Sequence, residues 1–174
     1  MSTDAHAAEV AAPLVPLGVG AASEADDRWF ERASWMLVGL GVLVRLVRFL
    51  VDYPIWHDEA FLAASLWDRG PAELAKPLEY GQVAPWMFLL VERLFVTTLG
   101  YNEMTLRLFP TLCSMASVVV FRHMAARVLR GWALVLATAI LAVAFYPIRH
   151  GNEIKPYATD LLAAIVLLTI AVEY

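Results

Sequence analysis

The sequence predicts an all-α, polytopic integral membrane protein, and three observations carry that prediction. Hydrophobic residues make up 60 % of the 174-residue chain and charged residues only 17 %, against about a quarter charged in soluble domains. Four apolar stretches, residues 34–51, 108–126, 132–148 and 157–172, approach the about 17 to 25 residues that cross a roughly 30 Å hydrocarbon layer. Between the first and second of these lie two shorter segments with helical spacing, residues 59–69 and 85–99, which read as interfacial helices.

Residues 1–33 have no basic start leading into an apolar run, so they do not read as a cleaved leader. They are rich in Ala, Val, Pro and Gly and are expected to be a disordered tail. Six acids there (Asp4, Glu9, Glu24, Asp26, Asp27, Glu31) face two arginines (Arg28, Arg32) and supply part of the net charge of −4. No basic stripe with interleaved aromatics is present, which argues against a nucleic-acid partner. Cys113 is the single cysteine, so an internal disulfide and a thiolate metal site are excluded.

Residues 34–51 are apolar except for Arg45 and Arg48 and are expected to act as a signal anchor. From 52 to 82 the pattern turns to charges and aromatics with breaks at Tyr53-Pro54 and Gly70-Pro71. Within it Phe61, Leu62, Ser65 and Leu66 form an apolar stripe, which places a short helix on the membrane surface. Residues 85–99 are apolar but carry Glu92 and Arg93 at their middle. An Arg at the bilayer centre costs about 2.5 to 3.5 kcal/mol, so this helix is expected in the interface or packed shallowly on its neighbours.

With that helix out of the membrane, the loop after the first span and the loop around residues 149–156 face the same side. The turn between the second and third spans holds Arg122, Arg127 and Arg130 with no acid nearby in sequence. Such arginines belong in the cytoplasm, which puts the N-terminus there too and the two other loops outside. Arg45 and Arg48 argue weakly for the reverse. The last apolar run stops with the chain, and the sequence is expected to be the N-terminal portion of a longer module.

The string Trp56-His57-Asp58-Glu59 places two adjacent carboxylates at the head of the first surface helix. One reading is capping, with Asp58 as N-cap and Glu59 in the first turn, worth about 1 kcal/mol; the other is catalysis, and the two are compatible. His57 and Glu59 flank Asp58 and offer a divalent cation two ligands, although His57, His123 and His150 form no metal site by spacing. The aromatics Tyr53, Trp56, Trp67 and Trp86 read first as interfacial anchors and second as sugar-stacking groups.

The acidic pair opens a longer order: Gly81-Gln82-Val83-Ala84-Pro85-Trp86, then Asn102-Glu103 and Thr105-Leu106-Arg107-Leu108-Phe109-Pro110, then Tyr146-Pro147 and Arg149-His150-Gly151-Asn152-Glu153-Ile154-Lys155-Pro156-Tyr157. Over residues 34–172 this resembles the membrane glycosyltransferases of the C-type fold. It resembles especially the branch that holds the protein O-mannosyltransferases, the aminoarabinose transferase of lipid A and the rhizobial lipopolysaccharide sugar transferases. That family often has Pro-Pro-Leu where this chain has Ala84-Pro85-Trp86, and Glu-Ala-Arg-x-Tyr where it has Glu153-Ile154-Lys155-Pro156-Tyr157.

The resemblance implies an inverting transferase in a bacterial-type plasma membrane. It would move a sugar from a polyprenyl-phosphate donor to a hydroxyl of a glycan, lipid or protein acceptor on the non-cytoplasmic face. By position Asp58 corresponds to the family's catalytic carboxylate, with Glu59 as its neighbour. An ionised Asp at neutral pH suits a general base, and cations must hold the departing phosphate. Lys155, Arg149 and Arg48 are the candidates, against snorkelling to head groups. Glu153, Asp160, His57 and Tyr157 complete the expected substrate-binding set; no cofactor is implied with certainty, and a divalent cation is the one considered. The alternative from another class is a non-catalytic membrane subunit or remnant with a binding or assembly role. A transporter fragment would need polar breaks at mid-span, which 132–148 and 157–172 lack.

Overall fold

A computed structural model describes residues 24–51 and 53–174; the expected tail up to residue 23 and Asp52 lie outside the described residues. The element order is α1 (Glu24–Val51), α2 (His57–Asp68), two 3₁₀ turns (Glu73–Ala75 and Glu79–Gly81), α3 (Trp86–Leu99), α4 (Glu103–Val128), α5 (Gly131–Val143), α6 (Phe145–Arg149), a 3₁₀ turn (His150–Asn152) and α7 (Tyr157–Glu173). Among the described residues there is no strand.

Helix α1 starts at Glu24, so residues 24–33 are helical where the sequence suggests a disordered tail. The reason is tertiary: Arg122 of α4 reaches back to Glu31 at 3.1 Å and to the Ser34 hydroxyl at 3.2 Å, and Trp29 and Phe30 pack on Trp132. These contacts tie the polar end of α1 to α4 and α5.

Two helices, Ala25–Val51 and Glu103–Val128, are long and apolar enough to cross a membrane. The expected third span, 132–148, is bent by 47° after Val143, and counts as a third only if α5 and the turns after it cross together. Pro147 lacks the N–H that would continue the ladder, and α5 ends four residues before it. Helix α7 has 17 residues, about 25 Å at 1.5 Å per residue, at the short end of the about 17 to 25 residues that cross a hydrocarbon layer. The expected four spans are thus met by length and composition in two helices, or three.

Exposure is inverted relative to a soluble bundle. Leu43, Val47 and Leu50 of α1, Leu136 and Ile140 of α5, and Leu167 and Leu168 of α7 face outward, while Ser34, Thr111, Ser114, Ser117 and Thr138 are buried. Each buried hydroxyl has a partner; Thr111, Ser117 and Thr138 donate to carbonyls four residues back. Apolar outside and satisfied polar groups inside is the distribution that a hydrocarbon surrounding favours.

Arg45, one of the two charges that interrupt the first apolar run, is fully buried in this interior. Its guanidinium donates to the Ser114 hydroxyl at 2.9 Å and to the carbonyls of Gly41, Ala142 and Leu141 at 3.0, 3.1 and 3.1 Å. Leu141 and Ala142 stand at the end of α5, where the helix break leaves carbonyls without intrahelical donors, and a cation is the natural partner there. The turn His150–Asn152 packs on the same region: a Cβ at Gly151 would lie 2.8 Å from Ser114 Cβ, so that position requires glycine.

The segment between α1 and α4 has its own small core. Leu62, Leu66, Leu74, Phe88, Leu89, Val96, Leu106 and Ile154 bury one another, each worth about 1.5 to 3 kcal/mol. Helices α2 and α3 fall within a few residues of the expected 59–69 and 85–99. Arg93 caps α2 by donating to the carbonyls of Leu66 and Arg69. Glu92 is fully buried and neither carboxylate oxygen has a hydrogen-bond partner. Gly100, at φ +94°, makes the turn into α4, and Asn102 caps that helix by accepting from the Thr105 amide at 2.9 Å.

Candidate functional site

The site forms where the head of α2, the turn Glu79–Gly81 and the segment 152–156 converge. Tyr53-Pro54 breaks the chain after α1, and Trp56, extended at φ −78° and ψ 156°, starts α2. Asp58 is therefore not the N-cap that its position suggested. Glu59, the third helical residue, reaches back to accept from the Trp56 amide at 2.9 Å, one half of a capping box.

Glu59 is only 2 % exposed, and its second oxygen accepts from the Ile154 amide at 2.8 Å. The Arg107 guanidinium stands 3.9 Å away and also donates to the Tyr53 carbonyl. Both Glu59 oxygens are thus committed to the backbone, and this carboxylate joins the loop after α1 to the loop before α7. The paired carboxylates do not point the same way. Among the described residues no group of three or more His, Cys, Asp or Glu converges on one point, and His57, Asp58 and Glu59 do not act as one ligand set.

Asp58 faces out, with its side chain 59 % exposed and Oδ2 at 3.2 Å from Lys155 Nζ. Lys155 is nearly buried and donates to Gln82 Oε1 at 2.6 Å. Desolvation is the largest single effect and pushes the Asp58 carboxyl up, but the hydrogen bond and charge of Lys155, with the amides of Asp58 and Glu59, together outweigh it and hold the group below the ordinary value of 3.8. Gln82 follows Tyr80, whose left-handed backbone at φ 56° is accompanied by ring stacking on Phe61 at 4.2 Å.

Glu153 turns away from Asp58 toward its own segment, 2.7 Å from His150 Nδ1 and 3.5 Å from Arg149 Nε. The His150 ring stands between Tyr146 and Tyr157, so Tyr157 supports this turn and is itself half exposed. Asp160 is exposed in the first turn of α7 and makes no side-chain hydrogen bond or ion pair among the described residues.

Arg48, Arg149 and His57 lie on the other flank of Trp56, around an open cavity of about 510 Å³ that Tyr53 and Phe145 also line. The Arg48 guanidinium lies 4.8 Å over the Tyr53 ring and that of Arg149 lies 5.5 Å over Trp56. The sequence grouped Lys155 with these two arginines as one phosphate-binding set; the structure divides them between two flanks.

Three members of the site were not singled out from sequence. Arg107 was legible as a cation inside an apolar helix start. Gln82 and Asn152 stood inside the strings quoted for the resemblance without a role of their own, and Asn152 donates to Thr111 at 2.7 Å. The cytoplasmic assignment leaned on a basic turn without acids, yet Glu31 answers Arg122 and Glu173 answers Arg127, each at 3.1 Å, from helices distant in sequence. Comparison with known protein families, with curated proteins and with solved structures found no match to this chain.

Proposed function

We propose that this chain belongs to a membrane glycosyltransferase that moves a sugar from a polyprenyl-phosphate donor to an acceptor hydroxyl on the non-cytoplasmic face. In this reading α1, α4, the bent α5–α6 pair and α7 cross the membrane in alternation, with the N-terminus in the cytoplasm. Helices α2 and α3 lie at the outer surface. The supporting observation is the exposed, ionised Asp58 carboxylate held 3.2 Å from Lys155, which comes from the loop before α7. One reaction centre needs those loops together.

Asp58 takes the proton of the acceptor hydroxyl as its oxygen attacks the anomeric carbon. The bond from that carbon to the phosphate oxygen breaks, inversion follows from the single displacement, and polyprenyl phosphate leaves with the electron pair. Arg48, Arg149 and Lys155 are the cations available to that phosphate. Glu59 acts as the strut that sets the base, not as a second base, because both its oxygens accept backbone amides.

A second reading, a non-catalytic membrane subunit with a binding or assembly role, draws on one observation. The partner that holds Asp58 in place also lowers its basicity. The test is release of polyprenyl phosphate from a radiolabelled polyprenyl-phosphate hexose by the chain in proteoliposomes. Turnover that falls at least about 100-fold in Asp58→Asn supports the transferase; equal turnover at equal expression removes Asp58 from the mechanism, and no turnover by the unsubstituted chain favours the second reading.

A further inference from the structure

We propose that Tyr80 is a positioning residue for the site: its strained turn, clasped on Phe61, holds Gln82 against Lys155 and so sets where the Lys155 ammonium meets Asp58. The first ground is the strain itself. Among the described residues Tyr80 is the one non-glycine residue with positive φ, at 56°, and a bulky side chain in that left-handed region is uncommon and costs free energy. Gly81 follows at φ 67° and enters the same region freely. Burial does not account for a tyrosine here, because Tyr80 is 67 % exposed. A strained conformation of this kind persists only where its surroundings over-determine it, and it concentrates beside working sites.

The second ground is what fixes the turn. The Tyr80 ring stacks on Phe61 at 4.2 Å with 18° between the planes, and Phe61 stands about one helical turn after Asp58 on α2. Arg69, which follows α2, donates to the Pro77 carbonyl at 2.9 Å and to Glu79 Oε1 at 3.2 Å. Both bonds are exposed, and an exposed ion pair contributes little. The Gln82 amide closes the turn on the Glu79 carbonyl at 3.2 Å. The turn is not backed by a core: Gly81 and Gln82 line an open cavity of about 430 Å³ with Leu74, Lys76 and Trp86. The stack is therefore the main hold between this turn and the helix that carries Asp58.

The third ground is the series of contacts that leaves the turn. Gln82 Oε1 accepts from Lys155 Nζ at 2.6 Å, and the same ammonium lies 3.2 Å from Asp58 Oδ2. A lysine pairs weakly with an exposed carboxylate on its own, because holding the long side chain in one geometry costs entropy. The neutral amide oxygen of Gln82 takes one ammonium proton in a fixed direction and leaves the others for Asp58. The neighbouring titratable groups turn elsewhere: Glu59 to the amides of Trp56 and Ile154, Glu79 to Arg69, and Glu153 to His150, while His57 lines the cleft on the other flank of Trp56.

This inference rests on the transferase reading only for what the positioned carboxylate does, and the positioning is scored without turnover. In the full chain in non-ionic detergent, the carboxyl ¹³C shifts of labelled aspartates are followed across a pH titration, with the Asp58 resonance identified by its loss in D58N. Y80A, F61A and Q82M are each expected to raise the Asp58 midpoint by about 0.3 pH unit or more, because an ammonium no longer held in place favours the carboxylate less. Y80F keeps the ring and is expected to keep the wild-type midpoint. W67A removes an exposed aromatic of the same helix that packs on Tyr101 instead, and is expected to leave the midpoint unchanged. If F61A loses its helical circular dichroism, Y80A and Q82M carry the test, since Tyr80 is exposed and Met keeps the length of Gln. A midpoint that stays or falls in Y80A overturns the proposal whatever K155M does, and so does a rise in W67A equal to that in Y80A. Turnover in proteoliposomes decides the transferase reading separately.

Discussion

Asp58 Oδ2 lies 3.2 Å from Lys155 Nζ, a pairing across 97 residues of chain that brings the head of α2 against the segment leading into α7. The two residues are unequally placed: the carboxylate is 59 % exposed, and the ammonium side chain only 11 %. Lys155 is thus a fixed charge, set by Gln82, that determines how Asp58 titrates.

The direction of that titration is testable. The folded-state pKa of Asp58 is depressed, so the stabilisation from its pairing is present above the ordinary carboxylate value and is lost as pH falls through the depressed one. K155M removes the dominant lowering interaction, and the Asp58 pKa is expected to rise. Side-chain carboxyl ¹³C shifts across a pH titration of the selectively labelled chain measure it, and an unchanged midpoint contradicts the pairing.

Glu59 carries a different load. Truncation in Glu59→Ala leaves the amides of Trp56 and Ile154 without their acceptor and removes the carboxylate beside Arg107. Breaking a buried pair in this way costs about 3 to 5 kcal/mol. Glu59→Gln, which keeps an acceptor oxygen, should cost about 1 to 3 kcal/mol. Asp58→Ala, at an exposed pair, should stay within about 1 kcal/mol. Detergent-unfolding midpoints rank the three; a larger loss at 58 than at 59 reverses the division of labour.

Glu92 predicts a pH dependence of opposite sign. Burial without a partner pushes it from 4.5 to about 9. The folded chain therefore holds this proton over a range where the unfolded chain has released it. Stability is fullest below the unfolded value and declines as pH rises toward the folded one, by about 3 kcal/mol between pH 4.5 and 7 if this group acts alone. Glu92→Gln is expected to flatten that decline and to exceed the wild type in stability at pH 8. Parallel stability curves for the two proteins contradict a neutral buried Glu92.

Gly151 tests the packing of the loop on α4. In Gly151→Ala the new Cβ meets Ser114 Cβ at 2.8 Å, so α4 or the turn His150–Asn152 must move. A cost of about 1 to 3 kcal/mol is expected, together with a weakened Arg45–Ser114 hydrogen bond, measurable as a lower melting temperature. Ala at Gly39, where a Cβ meets nothing, provides the neutral comparison.

Patterns local in sequence were the legible ones. Helices α2 and α3 could be placed because apolar spacing and the Tyr53-Pro54 and Gly70-Pro71 breaks act within a turn or two. The break after Val143 was missed because residues 132–148 carry no charge and the backbone effect of Pro147 precedes it in the chain. Asp58 was singled out as N-cap by residue type, but Glu59 makes the cap, since third-position geometry lets a longer carboxylate reach back. Arg45 was legible only as a charge within the first span, because its acceptors Ser114, Leu141 and Ala142 come from other helices. The same holds for Glu31 and Glu173, whose pairing with the basic turn exists only in space.

The account turns on Asp58 and the segment before α7 opening to one side of the membrane. With Cys113 replaced by Ser, no native thiol remains, and single cysteines at Asp58, Tyr157 and Arg130, all exposed, can be probed with a membrane-impermeant maleimide in sealed, uniformly oriented vesicles. Labelling of Asp58→Cys and Tyr157→Cys from one side and of Arg130→Cys only from the other is the predicted result. Labelling of Asp58→Cys and Tyr157→Cys from opposite sides contradicts it.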